Sequence, residues 1–108
     1  MRTYLGEFEQ LLLFALLRLG EPGYGVTIRR EIESRTGRRV SPGAVYTALD
    51  RLERRGLVSS WLGEPTAVRG GKRKRFYQLE PAGREGLKRS REAMSRMVEG
   101  LNVGLETS

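Results

Sequence analysis

The chain has 108 residues, of which 31% are charged and 38% hydrophobic, and this length and composition predict one soluble globular domain. It contains no Cys and no His, which excludes disulfides, the commonest nucleophile–base pairs and most zinc sites, so we expect no enzyme, no catalytic or metal site and no cofactor. No apolar run is long enough to span a membrane and no signal-peptide pattern opens the chain, which favours a cytoplasmic protein without a membrane partner.

The net charge of +7 is confined to the middle of the chain. Residues 1–36 and 76–108 each balance five basic and five acidic side chains, whereas residues 37–75 carry ten basic and three acidic ones. A polyanion would be attracted to that middle third. A surface that only keeps a protein soluble usually mixes the two signs, so the segregation favours a nucleic-acid partner.

The first helix is predicted over residues 3–19, where the run LLLFALL is apolar on every side. A helix of that kind is buried all round, under the core of the domain or against a partner subunit. We therefore expect Leu11 and Phe14 to lie in a dimer interface. After a turn at residues 20–23, a second helix is expected over residues 24–36.

The third helix, predicted over residues 41–55, has signals at both ends. Ser41 can cap its start, Pro42 suits its first position, and Gly56 can take the left-handed conformation that ends it. One side of this helix carries four apolar residues that we assign to the core: Val45, Ala48, Leu49 and Leu52. Two helices joined by a short connection, the second with a basic outer face, form the pattern of a helix-turn-helix.

The β-compatible runs at residues 57–62 and 75–79 predict a hairpin. The segment between them is polar and rich in Gly, and it carries the basic tip of that hairpin. We expect four residues of the tip to contact nucleic acid: Arg69, Lys72, Arg73 and Lys74. A basic loop is usually a solvated run of charge, but here it follows a basic helix at the spacing of a winged helix.

The last helix is predicted over residues 81–105, with Pro81 at its first position and residues 106–108 frayed. An apolar stripe follows this helix: Leu87, Met94, Met97 and Leu101. In so small a domain the stripe has nothing left to pack against, so we expect a homodimer. The chain is thus divided into a winged-helix DNA-binding domain at residues 1–80 and a dimerisation helix at residues 81–105.

Several motifs are distributed over residues 5–90: YGVTI at 24–28, VSPGAVY at 40–46, Leu49, LE at 52–53, GLV at 56–58, FYQL at 76–79 and PAG at 81–83. Together they resemble the PadR family of bacterial transcriptional regulators. The resemblance implies a mainly α fold with a small β-hairpin, a winged helix-turn-helix with a C-terminal dimerisation helix. It is similar to the short subgroup with a single such helix, and it implies an inverted-repeat operator. Glu80 departs from the Thr that the family often has before Pro-Ala-Gly, which would weaken the cap of the last helix.

On this interpretation the chain is a sequence-specific regulator, a repressor, whose partner is double-stranded DNA. Its third helix enters the major groove, where Thr47, Asp50 and Arg51 reach base edges. Four further residues of that helix are assigned to the DNA interface: Ser41, Gly43, Tyr46 and Arg54. Tyr46 and Arg54 suit phosphates, which fix the register of the protein on the duplex. Tyr46 has a second interpretation as a half-buried core aromatic.

Other functions stay open at this point. A winged helix with a basic loop can also dock an acidic protein, although the third helix lacks the aromatic and Met anchors of protein interfaces. RNA binding would need aromatic side chains that stack on bases among the basic residues, and only Phe76 and Tyr77 are candidates. Trp61 is assigned to packing within the hairpin, and the sequence leaves open whether a small-molecule effector binds.

Overall fold

The computed structural model describes residues 4–65 and 73–101, and within them it contains four helices and three strands. In chain order they are α1 (Glu7–Leu19), β1 (Gly23–Tyr24), α2 (Gly25–Thr36), α3 (Pro42–Arg54), β2 (Val58–Leu62), β3 (Arg75–Leu79) and α4 (Pro81–Val98). The strands form one antiparallel sheet in the order β1–β3–β2. The prediction of a mainly helical chain with a β-hairpin and a C-terminal helix is confirmed.

The sequence does not predict strand β1. A turn is expected over residues 20–23 and a helix from residue 24, yet Gly23 and Tyr24 pair with the centre of β3. The helix α2 therefore begins at Gly25, and the Thr27 hydroxyl accepts a hydrogen bond from Tyr24 N–H at 3.1 Å and donates to the Tyr24 carbonyl oxygen at 3.0 Å. The prediction is wrong here because the pairing is made with a strand distant in sequence.

The first helix is also shorter than predicted, since α1 begins at Glu7 and not at residue 3. The segment before it is irregular and is held against α4. Leu5 is buried, its N–H donates to Ser90 Oγ at 2.9 Å, and its carbonyl oxygen accepts from Gln10 Nε2 at 3.0 Å. The N-terminal segment therefore ties α1 to the last helix.

The core lies where α1, α2 and α3 meet the sheet. Its largest fully buried side chains are Leu12, Leu13, Ile28, Val45, Leu49, Leu52 and Val58. The predicted inward face of α3 is thereby confirmed, because all four of its apolar residues are buried. Each fully buried aliphatic side chain contributes about 1.5–3 kcal/mol, so this packing fixes the position of α3.

The first half of α4 belongs to the same core. Gly83 approaches the start of the hairpin so closely that a Cβ on it would overlap the carbonyl oxygen of Leu57. That oxygen accepts a hydrogen bond from Glu80 N–H at 3.0 Å. Leu87 and Ser90 follow on the same side and are buried. The helix therefore docks on the hairpin and on the N-terminal segment through its first three turns.

The second half of α4 ends earlier than the sequence predicts. The helix stops at Val98, because Glu99 leaves the helical conformation at φ −54° and ψ 131° and Gly100 adopts a left-handed φ of 81°. Leu101, which is predicted on the helix, lies beyond its end. The predicted bound of residue 105 is thus corrected, and residues 106–108 lie outside the described part of the chain.

Replacing Gly83 with Ala should lower the free energy of unfolding by about 1–3 kcal/mol, because the new methyl group meets backbone that cannot move aside. Gly86→Ala is the matched control in the same helix, since its Cβ would lie 3.6 Å from Leu5 Cδ1, an ordinary contact. Alanine has the better helix propensity, so we expect this control to be neutral or stabilising by up to about 1 kcal/mol. Urea unfolding followed by circular dichroism measures both; equal stability of the two variants would contradict the close contact at Gly83.

Candidate nucleic-acid interface

The start of α3 is fixed by the cap that the sequence predicts. Ser41 Oγ accepts a hydrogen bond from Ala44 N–H at 3.1 Å, and Pro42 occupies the first helical position. The hydroxyl of Ser41 accepts this bond and keeps its own proton, so it can still donate to an anion. Ser41 and Pro42 are exposed, which leaves the N-terminal end of the helix uncovered by the rest of the described chain.

The end of α3 is a Schellman motif. Gly56 has a left-handed φ of 75°, its N–H donates to the Glu53 carbonyl oxygen at 2.9 Å, and Leu57 N–H donates to the Leu52 carbonyl oxygen at 3.0 Å. Leu57 then turns into the core, where it is 3% exposed. The predicted stop signal is confirmed, and it starts β2 directly after the helix.

The outward face of α3 consists of the residues that the sequence assigns to DNA. All of these are exposed: Ser41, Gly43, Tyr46, Thr47, Asp50, Arg51 and Arg54. Around Gly43 the space is open, since a Cβ there would meet no described atom within 4 Å. The absence of a side chain at this position is therefore not required by packing within the described chain.

Tyr46 is exposed on one side and packed against the chain on the other. Its side chain is 45% exposed, yet its hydroxyl end lies against the backbone of Gly25, where a Cβ would overlap it. The glycine at the start of α2 therefore makes room for the ring on the edge of the outer face. Tyr46 is neither a core aromatic nor a freely mobile surface side chain.

Salt bridges remove part of the positive charge around α3. Arg54 pairs with Asp50 one turn earlier in the helix, so two predicted DNA contacts are joined to each other. Arg38 pairs with Glu7 at 2.9 Å and Arg55 pairs with Glu9 at 2.8 Å, both through the first turn of α1. Within the described part of residues 37–75, five basic side chains form no salt bridge: Arg39, Arg51, Arg73, Lys74 and Arg75. The site assignment from sequence omits Arg39 and Arg75, although both lie inside the basic third that marks them.

A chain of polar contacts connects α3 with the hairpin. Ser60 Oγ lies 2.7 and 2.8 Å from the two Glu53 carboxylate oxygens and donates to that carboxylate. The same hydroxyl oxygen accepts from Arg75 Nη1 at 3.0 Å. Helix α3 and the base of the hairpin are thus connected through one half-buried serine.

The tip of the hairpin is described only in part. Arg69 and Lys72 lie outside the described residues, whereas Arg73 and Lys74 are exposed at the foot of β3. The Lys74 ammonium lies over the ring of Tyr24, 4.5 Å from its centroid. Tyr24 precedes Gly25, which contacts Tyr46, so a cation of the hairpin and a tyrosine of α3 contact consecutive residues at the start of α2.

Aromatic residues fill the base of the hairpin. Phe76 stacks on Trp61 with centroids 6.2 Å apart and meets Tyr24 edge-on at 5.6 Å. Tyr77 points the other way into the core and is 3% exposed. Burial raises the pKa of Tyr77, against a lowering effect of the Arg75 charge, so its phenol stays neutral. The contact of Trp61 with Phe76 agrees with its assignment to hairpin packing.

The apolar stripe of α4 is divided by the fold. Leu87 is 3% exposed and belongs to the core of its own protomer, so its side chain is not available to a second copy. The others remain uncovered by the described chain, with Met94 63%, Met97 74% and Leu101 53% exposed. On α1, Leu11 and Phe14 are half-buried, and the Arg91 guanidinium lies over the Phe14 ring at 5.9 Å.

Residues 4–65 and 73–101 contain neither a membrane-spanning helix nor a metal site. None of the helices there is both long and apolar enough to cross a bilayer. Nor do three Asp or Glu side chains come together in that part of the chain in a group that could hold a metal ion. The outer face of α3 and the foot of the wing remain the candidate site.

Comparison with known proteins agrees with this geometry. The chain matches the model of the transcriptional regulator PadR-like family over residues 13–89. It is 39% identical over 75 residues to the transcriptional regulator Rv3488 of Mycobacterium tuberculosis, a match that covers 69% of this chain and 65% of that protein. It is 40% identical over 88 residues to an uncharacterized 37.1 kDa protein in transposon TN4556 of Streptomyces fradiae, covering 82% of this chain and 23% of that protein. The chain thus spans less than two thirds of the length of either relative.

Solved structures share the fold. A transcriptional regulator from Clostridium thermocellum superposes with a TM-score of 0.72 at 25% identity, and the match covers 91% of this chain and 92% of that one. Structures of PadR-family and winged-helix proteins align in the same way. The predicted winged-helix fold is therefore confirmed.

Replacing Ser60 with Ala should lower the free energy of unfolding by about 1.5–3 kcal/mol, because the half-buried Glu53 carboxylate loses a hydrogen bond and Arg75 loses its acceptor. Ser34→Ala is the matched control, since the exposed Ser34 hydroxyl donates only to a carbonyl oxygen of its own helix. That control should change stability by no more than about 0.5 kcal/mol. Urea unfolding of both variants measures the difference, and equal effects would show that the Ser60 contact does not connect α3 to the wing.

Proposed function

This chain belongs to the PadR-like family of transcriptional regulators, which are DNA-binding regulators and not enzymes, and we propose that it is a dimeric repressor of an inverted-repeat operator. The observation that carries this proposal is that the wing, which is the β2–β3 hairpin, and helix α3 contact consecutive residues, Tyr24 and Gly25, at the start of α2. Lys74 lies over the Tyr24 ring, the Tyr46 hydroxyl lies against Gly25, and the rest of the described chain leaves the outer face of α3 exposed. We place its action in the cytoplasm, with the DNA.

Base recognition is assigned to the first turns of α3, which would enter the major groove. Arg51 supports this assignment because it is exposed and forms no salt bridge with a described residue, so its guanidinium can make a bidentate contact with guanine. Thr47 lies one turn before it and can contact a base edge or a thymine methyl group. The open space at Gly43 would let the helix approach the bases closely.

Asp50 and Arg54 act in this proposal as a pair. Their salt bridge holds the Arg54 guanidinium along the helix, where it can donate to a phosphate while Asp50 remains near the bases. The remaining phosphate contacts are assigned to Ser41, Tyr46 and the wing. On the wing they comprise Arg73 and Lys74, together with Arg69 and Lys72 outside the described residues. Phosphate contacts supply affinity and register without reading sequence.

Dimerisation is assigned to the second half of α4. Met94, Met97 and Val98 are 63%, 74% and 46% exposed on one side of the helix, and Leu101 continues the apolar surface beyond its end. Such a cluster of large apolar side chains marks an interaction surface. A second copy is the partner that accounts for an operator with two half-sites, because the two-fold axis of a dimer matches the symmetry of an inverted repeat.

Met94→Glu and Met97→Glu should split the dimer, because each places a charge inside the proposed contact. Ser95→Glu is the matched control, since it adds the same charge about a quarter turn away on an exposed position. Light scattering at micromolar concentration should give a dimer for the natural chain and Ser95→Glu and a monomer for the two Met variants. A monomeric natural chain would refute the proposal, and Met variants that lose stability but stay dimeric would place the contact elsewhere.

Thr47→Ala and Arg51→Ala should relax base preference at defined operator positions, by about 1–3 kcal/mol where a bidentate contact is lost. Arg73→Ala should instead weaken operator and scrambled duplexes alike, and it should reduce the slope of log K against log salt by roughly 0.9 for one lost phosphate contact.

The matched control is Arg84→Ala, which removes one exposed positive charge on α4, away from the proposed face. Its slope should stay close to that of the natural chain. Binding by fluorescence anisotropy over a range of salt concentrations measures all four variants. A wing variant that changes base preference at constant slope would reverse the assignments, and unchanged binding of the three face variants, Thr47→Ala, Arg51→Ala and Arg73→Ala, would exclude DNA recognition through this face.

A further inference from the structure

A groove of about 360 Å³ lies between the turn that follows α1 and the base of the wing. It takes no part in the proposed contacts with DNA bases. Six residues form most of its lining: Leu19, Glu21, Pro22, Tyr24, Trp61 and Phe76. A groove of this size can hold the body of a small organic ligand.

Three aromatic rings give the groove its chemical character. Trp61 is 40% exposed and stacks on Phe76, which meets Tyr24 edge-on. Ring faces carry negative quadrupole potential and attract cations, most strongly those of Trp. A cation already uses this property, because the Lys74 ammonium lies 4.5 Å from the Tyr24 centroid.

The charged residue in the lining is an acid. Glu21 is exposed and forms no salt bridge with another described residue. Two acids near the basic face, Glu7 and Glu9, are already paired with Arg38 and Arg55. The groove therefore combines aromatic faces, an aliphatic floor from Leu19 and Pro22, and one uncompensated negative charge.

We propose that this groove is a binding site for an organic cation with an apolar body, of the aryl- or alkylammonium class. The apolar body lies on Leu19 and Pro22, the ammonium group faces the aromatic rings, and Glu21 supplies the counter-charge. An anionic ligand is disfavoured by Glu21 and by the ring faces. A neutral ligand gains only the apolar contact.

Lys74 couples this site to the wing. The ligand cation and the Lys74 ammonium are attracted to the same Tyr24 ring and repel one another. Each therefore weakens the binding of the other to the aromatic rings. A DNA phosphate that attracts Lys74 away from Tyr24 removes this repulsion. DNA and the cation therefore favour each other's binding, and by linkage the factor is the same in both directions. This second step rests on the proposed function, whereas the site itself does not.

The site is tested without DNA by the fluorescence of Trp61, the single Trp of the chain. The probe is benzyltrimethylammonium, compared with benzyl alcohol and benzenesulfonate at constant ionic strength. The cation should change the emission saturably, and it should bind about fivefold more tightly than the alcohol, the factor that a cation–π contact at an exposed site gives. Equal affinity for the cation and the alcohol would overturn the proposal.

Three variants of the full chain test whether charge determines the affinity for the cation. Glu21→Gln should weaken the cation by about three- to fivefold, and Lys74→Met should tighten it by about two- to fivefold because the competing ammonium is gone. Glu85→Gln removes an exposed acid of α4 outside the groove and should leave the affinity unchanged. Affinity that follows none of these charges, or falls equally in Glu21→Gln and Glu85→Gln, would reduce the groove to a non-specific apolar surface.

The coupling is tested by duplex binding with and without saturating benzyltrimethylammonium. Sodium chloride at the same concentration serves as the salt control. The aryl cation should strengthen duplex binding about two- to fivefold in the natural chain and should have no such effect in Lys74→Met. If the chain binds no duplex but the fluorescence titration succeeds, the proposed function fails and the cation site stands. Duplex binding that the cation leaves unchanged, or weakens, would overturn the coupling alone.

Discussion

The packing of α3 against α1 and α2 is the contact on which the rest of the structure depends. Val45, Leu49 and Leu52 are fully buried, so the helix cannot rotate about its axis without exposing them to water. Its polar face is therefore turned outward by the burial of the opposite face. The Schellman motif at Gly56 then releases the chain directly into β2, which fixes where the wing begins. The orientation of the candidate interface thus follows from apolar burial. The charged residues lie on a face whose direction is set by the core.

Salt bridges change the distribution of unpaired charge that is expected from the sequence alone. The basic third of the chain carries ten cations, but the first turn of α1 neutralises Arg38 and Arg55 through Glu7 and Glu9. Surface pairs of this kind contribute little to stability, commonly less than about 1 kcal/mol. Their larger effect is on the field around the molecule, since they leave the uncompensated charge on Arg51 and at the foot of the wing. Acidic residues that are distant in sequence therefore confine the unpaired positive charge to a smaller surface than the charge count along the chain indicates.

What could be predicted from the sequence is what is determined locally. The bounds of α3 are encoded within a few residues of each end, by Ser41, Pro42 and Gly56, and the structure confirms all three signals. Strand β1 could not be predicted, because two residues become a strand only when β3 lies beside them. The contact of Lys74 with Tyr24 could not be predicted either, because these two residues are also distant in sequence. The apolar stripe of α4 likewise does not show which of its members are buried within the chain. Their burial depends on contacts between residues that are distant in sequence, such as the hydrogen bond between Leu5 and Ser90.

The two halves of the last helix lie in different environments. Gly83, Leu87 and Ser90 hold its first half against the wing and the N-terminal segment, so this half contributes to the stability of the protomer. Met94 and Met97 lie beyond those contacts and contribute nothing to the core of their own chain. Changes in the second half should therefore act on the proposed dimer contact without unfolding the domain, whereas changes in the first half act on the stability of the chain itself. Because Gly83 touches Leu57, the residue before β2, the same helix connects any partner of its second half to the base of the hairpin.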